Sequence, residues 1–173
     1  FSYAEPFDGG GRTALARARI ETGDVPRLAD VKVIYRPYGP ASRGNHFGSR
    51  ILQAPDNTLF LPNGEHFTDR DMEQKFENDL GKIIRITTDG AAPPDNPFVK
   101  RAGARPEIWS YGHRNPQGLA INPADGKLWE QEHGAKGGDE INLIVAGHNY
   151  GWPLVSHGVN YDGSPVGTGK ATM

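Results

Sequence analysis

Gly118-Leu119-Ala120-Ile121-Asn122-Pro123-Ala124-Asp125-Gly126-Lys127-Leu128-Trp129-Glu130, residues 118–130, reads as two short strands around a Pro-Ala-Asp-Gly turn. Proline presets φ for a turn, and glycine takes the left-handed position without steric cost. The same unit stands earlier in the chain. Gly48-Ser49-Arg50-Ile51-Leu52-Gln53 leads into Pro55-Asp56-Asn57 and then Thr58-Leu59-Phe60-Leu61. The offset is 69 residues at Asp56/Asp125, Leu59/Leu128 and Phe60/Trp129, and one more at the glycines. A hairpin repeated at a fixed interval is the mark of propeller blades, although unrelated hairpins of this kind occur in any β protein. A single sheet cannot bury both its faces, so blades need neighbours.

Working outward, Val31-Lys32-Val33-Ile34-Tyr35, Lys82-Ile83-Ile84-Arg85-Ile86, Glu107-Ile108-Trp109-Ser110-Tyr111 and Glu140-Ile141-Asn142-Leu143-Ile144-Val145 are β-branched or aromatic runs, and read as strands. Residues 13–20 suit either helix or strand. Asp69 to Asp79, polar and free of Gly and Pro, is a short helix or an ordered loop, and residues 91–97 form a stiff connector. The 173 residues are one domain's worth. With 23 glycines and 14 prolines, about a fifth of the chain against a usual ~12%, helix bundles and coiled coils are excluded. The expected fold is all-β: a β-propeller of which residues 1–173 form a partial domain, about half the ring. Phe1 and Met173 do not read as natural termini, so the chain is expected to be an internal piece of a longer protein.

Nineteen Lys and Arg stand against 21 Asp and Glu, a net charge of −2, which leaves no basic field for nucleic acid. No stretch approaches the ~20 apolar residues of a membrane-spanning helix. With no cysteine, disulfides, zinc–thiolate sites and cysteine nucleophiles are excluded. Phosphate-binding glycine loops, His-Glu-x-x-His and Gly-x-Ser-x-Gly are absent.

Five stretches carry residues suited to chemistry. Asn45-His46-Phe47-Gly48, at the head of a strand, offers a proton acceptor beside a small residue, or an ordinary strand-end histidine. Gly112-His113-Arg114-Asn115-Pro116-Gln117-Gly118 is a polar loop between strands. The arginine fork in it suits carboxylates and developing oxyanions. Glu130 to Glu140 joins two strands through Gly134, Gly137 and Gly138, and its carbonyls and carboxylates are hard oxygen ligands suited to Ca²⁺, without EF-hand spacing. His148-Asn149-Tyr150-Gly151-Trp152-Pro153 reads as a packed corner. Asn63-Gly64-Glu65-His66-Phe67-Thr68-Asp69-Arg70-Asp71 reads as a solvated loop, with a pocket lining as the other possibility. Pro62 within Leu61-Pro62-Asn63-Gly64 points to a bulge in the strand that holds it.

Together these stretches resemble a known family. YGHRNPQGLAINPADGKLWEQEHGAKGGDEINLIVAGHNYGWP, residues 111–153, is similar to the signature region of the soluble PQQ-dependent glucose/sorbosone dehydrogenases, most of all their aldose sugar dehydrogenase branch. HFGSRI at 46–51 and NDLGKIIRI at 78–86 fall in the order that family has. The resemblance implies a six-bladed propeller with pyrroloquinoline quinone (PQQ) on its axis, held through Ca²⁺. His46 matches the base that takes the proton of the sugar's C1 hydroxyl. Arg114 matches the arginine near the quinone C5 oxygen, and Asn115 a cofactor-contacting neighbour. The carbonyls of Gly134 and Ala135 match ligands of the Ca²⁺ that bridges to PQQ. Glu140 and the Tyr150 carbonyl match ligands of a separate structural Ca²⁺. His133, glutamine in one branch, is a further cofactor-binding candidate. Asn45 stands where some members carry an acidic neighbour of the base.

The implied partners are an aldose, an external electron acceptor, and the rest of the propeller or another copy. The implied setting is periplasmic or secreted. Two other readings remain open from the residues: a non-catalytic Ca²⁺-stabilised propeller that serves as an interaction domain, and a propeller lactonase with Ca²⁺ as Lewis acid.

Overall fold

In the computed structural model, residues 1–67 and 70–173 are described. Among the described residues, ten strands form three antiparallel sheets. The first holds β1 (Ser2–Phe7), β2 (Gly10–Glu21) and β3 (Arg27–Tyr35), in that order. The second is four-stranded: β4 (Leu52–Gln53), β5 (Leu59–Asn63), β6 (Lys82–Ile86) and β7 (Ile108–Tyr111). The third runs β8 (Pro116–Ile121), β9 (Leu128–Glu132) and β10 (Glu140–Ile144). The repeated hairpin of the sequence opens both the second and the third sheet, as β4–β5 and as β8–β9. Residues 13–20, ambiguous by composition, lie within β2. Met72–Gln74 is a single 3₁₀ turn, and Asp69 lies outside the described residues. No helix among the described residues is long and apolar enough to cross a membrane.

The side-chain alternation of the middle sheet explains why the sheets stack. All five residues of β6 are buried. Ile83 joins Phe60, Ala54, Leu119, Leu128 and Ile144 in a core against the third sheet. Ile84 and Ile86 point the other way and join Leu61, Leu15 and Tyr35 in a core against the first. A strand alternates its side chains between faces, so a strand buried at every position must have a partner on both. These are stacked blades of a β-propeller.

Lys82 opens β6 with its whole side chain buried. Its ammonium donates to the carbonyls of Met72, Glu73 and Leu80 at 3.1, 2.9 and 2.6 Å, and burial pulls its pKa down to about 7. The 3₁₀ turn is thereby tied to the sheet. Gln74 in that turn exchanges hydrogen bonds with Asn149 and donates to the Trp152 carbonyl at 2.7 Å. The corner at 148–153 is packed as expected, with Gly151, Trp152 and Pro153 buried.

Two local expectations are corrected. Residues 48–51 are not strand, and His46 does not head one. His46, Gly48 and Ser49 have φ of 54°, 64° and 86°, three left-handed values within four residues that break the extended backbone of a strand. The segment is held instead by Thr13 Oγ1 donating to the Phe47 carbonyl at 2.6 Å and Ser2 Oγ to the Ser49 carbonyl at 2.8 Å. Nor does Pro62 create a bulge, because its register with Ile83 is uninterrupted. A strand residue directs its N and C=O to the same neighbour. The Pro62 carbonyl accepts from Ser49 N at 2.9 Å, so the missing N–H faces the 46–49 segment beyond the end of β4, and no bond to β6 is lost.

Ile84→Ala would remove a fully buried side chain from the core between the first two sheets. The expected loss is about 2–5 kcal/mol of unfolding free energy, read by chemical denaturation. A loss below ~0.5 kcal/mol would contradict two-sided burial of β6.

Candidate active site

The left-handed bend at His46 turns its imidazole toward the end of β5. There, Nδ1 lies 2.8 Å from Oε1 of Glu65, a residue only 1% exposed. A carboxylate accepts the Nδ1 proton and so leaves Nε2 as the basic face of the ring. The acidic neighbour missing beside His46 in the sequence is thus supplied through space, nineteen residues on. Glu65 belongs to the stretch expected to be a solvated loop. Asn63, Gly64, Glu65 and His66 are buried instead, while Thr68 and Asp69 lie outside the described residues.

The backbone joins this pair to the polar loop between β7 and β8. Glu65 N donates to the Arg114 carbonyl at 3.0 Å. Asn115 Oδ1 accepts from Gly48 N at 3.3 Å, and the Asn115 carbonyl accepts from His133 N at 3.3 Å. Gly64 sits where this loop and the His46 segment meet. A Cβ there would overlap the His46 carbonyl and press on Asn115 Oδ1.

Arg114 is 2% exposed. Its backbone N donates to Glu132 Oε2 at 2.6 Å, and the same carboxylate takes His113 Nδ1 at 3.1 Å. His113 is fixed at its other nitrogen by Ser110 Oγ at 2.9 Å and stacks on Tyr150 at 4.7 Å. The Arg114 guanidinium lies over the Trp152 ring at 5.2 Å. Nη1 donates to the carbonyls of Gly134 and, at 3.2 Å, His133. Nη2 stands 3.3 Å from the Tyr161 hydroxyl. Nε is buried without a partner among the described residues, as is Glu65 Oε2. A buried cationic donor with no acceptor is costly, and it suits an electron-rich oxygen brought by a ligand.

Arg114, Gly134, Glu140, Tyr150 and Glu132 line one small cavity of about 10 Å³, room for a single water or ion. Carboxylates crowd it. Asn142 Nδ2 reaches Glu130, Glu132 and Glu140 at 3.1, 3.4 and 3.2 Å. Burial and the Glu132 charge push the Glu130 carboxyl up to about 9, and burial also raises that of Glu140. His113, Glu130 and Glu132 each bring a ligand atom within 4.8 Å of the others. A hard dication would relieve this repulsion, and the carboxylates offer the oxygens Ca²⁺ prefers, while the His113 nitrogens are taken by Ser110 and Glu132. The residues present therefore fit both an electron-rich cofactor oxygen at Arg114 and Ca²⁺ beside Gly134 and Glu140.

Of the sequence candidates, Arg114, His133, Gly134, Glu140 and Tyr150 line the cavity, and His46 and Asn115 connect to Arg114 through Gly64 and Glu65. Two fit less directly. The His133 imidazole is exposed and turned to Gln117 Oε1 at 3.0 Å, so only its carbonyl faces Arg114. Ala135 is half-buried, bridges to Gly137 and does not line the cavity. Glu65 and Glu132, the anchoring carboxylates, lie in stretches the sequence marks, the first with pocket lining as its other reading, but neither is given a role of its own there. The sole local sign was that each lies beside a glycine or histidine of a motif.

Stacked antiparallel blades that gather a histidine–carboxylate pair, a buried arginine and clustered oxygen donors at loop ends define a propeller with a polar ligand site. The chain belongs to the glucose/sorbosone dehydrogenase family, whose model matches residues 1–173. It is 44% identical over 173 residues to aldose sugar dehydrogenase YliI of Escherichia coli, covering 99% of this chain and 46% of that protein. It superimposes on a crystal structure of a glucose dehydrogenase with a TM-score of 0.92 at 48% identity, covering 98% of this chain and 48% of the other. The PQQ-bound aldose sugar dehydrogenase of Streptomyces coelicolor gives a TM-score of 0.71 at 33% identity, with coverage of 90% and 44%. The chain thus spans about half the length of the relatives it matches.

Gly64→Ala tests the junction. Overpacking of this kind costs about 1–3 kcal/mol, and thermal unfolding should report it. An unchanged melting temperature would mean that the His46 segment and the Asn115 loop are not in contact.

Proposed function

We propose that this chain is part of a quinoprotein sugar dehydrogenase that oxidises the C1 hydroxyl of an aldose to the lactone. PQQ would be the hydride acceptor and Ca²⁺ its anchor. The observation that carries this reading is the His46–Glu65 hydrogen bond joined through the backbone to Arg114, whose Nε is left buried and unpartnered. PQQ, when bound, supplies the two-electron acceptor for the hydride that leaves C1. The protein's part is acid–base and electrostatic. His46 Nε2 takes the C1 hydroxyl proton, and Glu65 holds the imidazole in the right tautomer and stabilises it once it is protonated. Arg114 lends a fixed positive charge where oxygen charge develops, in a site shielded from water. Asn115 would contact the cofactor, and His133 would serve through its carbonyl. Gly134 and Ala135 would offer carbonyls to the Ca²⁺ beside the cofactor, and Glu140 and the Tyr150 carbonyl would hold a second Ca²⁺.

The relatives' names and the bound PQQ in one of them support this reading. A pure interaction domain would have no use for a buried arginine whose Nε has no acceptor. Residues 1–173 would then contribute about half of the ring, with further blades closing it around the cofactor. An external electron acceptor would complete the cycle, and a periplasmic or secreted setting goes with it.

His46→Gln keeps a hydrogen-bonding side chain and removes the base. Turnover of the holoenzyme should fall by about 10²–10⁴-fold while PQQ affinity stays within a few fold. Turnover near that of the parent would remove His46 from the chemistry.

A further inference from the structure

Phe67 is held against the candidate base in a conformation the cores of the fold do not require. His66 and Phe67 take consecutive left-handed values, φ 64° and 58°, and a bulky residue there is a strained outlier. The Phe67 ring belongs to neither apolar cluster and is 47% exposed. It packs on the site instead. Its ring meets the His46 imidazole edge-to-face, with centroids 5.2 Å apart at 89°. It leans on the Tyr161 ring at 6.3 Å and 53°. Tyr161 is itself 59% exposed, with its hydroxyl 3.3 Å from Arg114 Nη2. Two aromatic rings therefore run from the histidine to the arginine, and both keep surface open to solvent.

We infer that Phe67 and Tyr161 form a stacking subsite that receives the C–H face of an aldose ring and holds its C1 end at His46. This rests on the proposed sugar dehydrogenase function. An aldopyranose carries a face of C–H groups made slightly positive by their oxygens, and that face packs on the negative face of an aromatic ring. The C1 hydroxyl edge of the sugar is left to His46, which Glu65 holds from behind. Strain that holds a large apolar residue in water beside a base has a purpose if that residue meets a ligand. Phe67 is then a specificity-determining residue. It favours cyclic aldoses over open-chain polyols, which present no continuous C–H face.

The test uses the holoenzyme with D-glucose and with sorbitol, comparing the parent with Phe67→Ala, Phe67→Gly and Phe67→Tyr. For Phe67→Ala, kcat/KM for glucose should fall about tenfold or more, chiefly through KM, with PQQ affinity and kcat within about threefold. Its preference for glucose over sorbitol should shrink in step. Phe67→Gly should lose sugar affinity to the same degree yet melt at the same or a higher temperature, since glycine is unstrained at this φ. Phe67→Tyr should retain both properties. An unchanged KM in Phe67→Ala, or a loss confined to kcat, would overturn the subsite while leaving the sugar dehydrogenase reading intact. A parent holoenzyme that binds PQQ but oxidises no aldose would overturn both.

Discussion

A strand that is apolar on both faces has to be sandwiched, and β6 sets that condition for the whole chain. Ile83 commits the second sheet to the third, and Ile84 with Ile86 commits it to the first. Each of these side chains contributes about 1.5–3 kcal/mol on burial, so the stacking is not optional. Once the sheets are stacked, the segments at their ends are brought together whatever their own preferences. The bend at 46–49, the end of β5, the loop before β8 and the glycine loop after β9 converge for this reason. The alternation of side chains along five residues is in that sense what brings the His46–Glu65 pair to the loop of Arg114 and Asn115.

Carboxylates then do the local positioning. Glu132 accepts from the Arg114 backbone and from His113, and Glu65 accepts from His46 while its N–H binds the Arg114 carbonyl. Neither is exposed. The result is a rigid polar cluster with a few atoms left unmatched: Arg114 Nε, Glu65 Oε2 and Glu130 Oε1. Buried polar groups in folded proteins are normally paired. Among the described residues, Arg114 Nε and Glu65 Oε2 are the exceptions that belong to the candidate site, and a ligand's acceptor and donor would satisfy them there.

The strands and the repeat were legible in the residues because they rest on period-two alternation and turn chemistry, both local. Lys82–Ile86 and the second hairpin match their predicted places closely, and the first hairpin does so in its turn and second strand. The failures share one cause. The left-handed run at His46, Gly48 and Ser49 is held by Thr13 and Ser2 of another sheet, and no local propensity announces that. The burial of Glu65 likewise depends on the loop 113–115, some fifty residues away, and that of His66 on Pro40 and Phe47. Pro62 looked disruptive because its neighbours on each side could not be known. In the site, Arg114, Asn115, Gly134, Glu140 and Tyr150 were found through a resemblance spread over several motifs. Glu65 was missed because its role exists only across space.

The direct test of the account is an equilibrium titration of the full-length protein with PQQ, in Ca²⁺ and in excess EDTA, followed by adding glucose while watching the quinone absorbance. The account predicts saturable uptake that requires Ca²⁺, and bleaching of the bound quinone by the sugar. Uptake of equal affinity in EDTA, or bound quinone that glucose leaves unbleached, would contradict it.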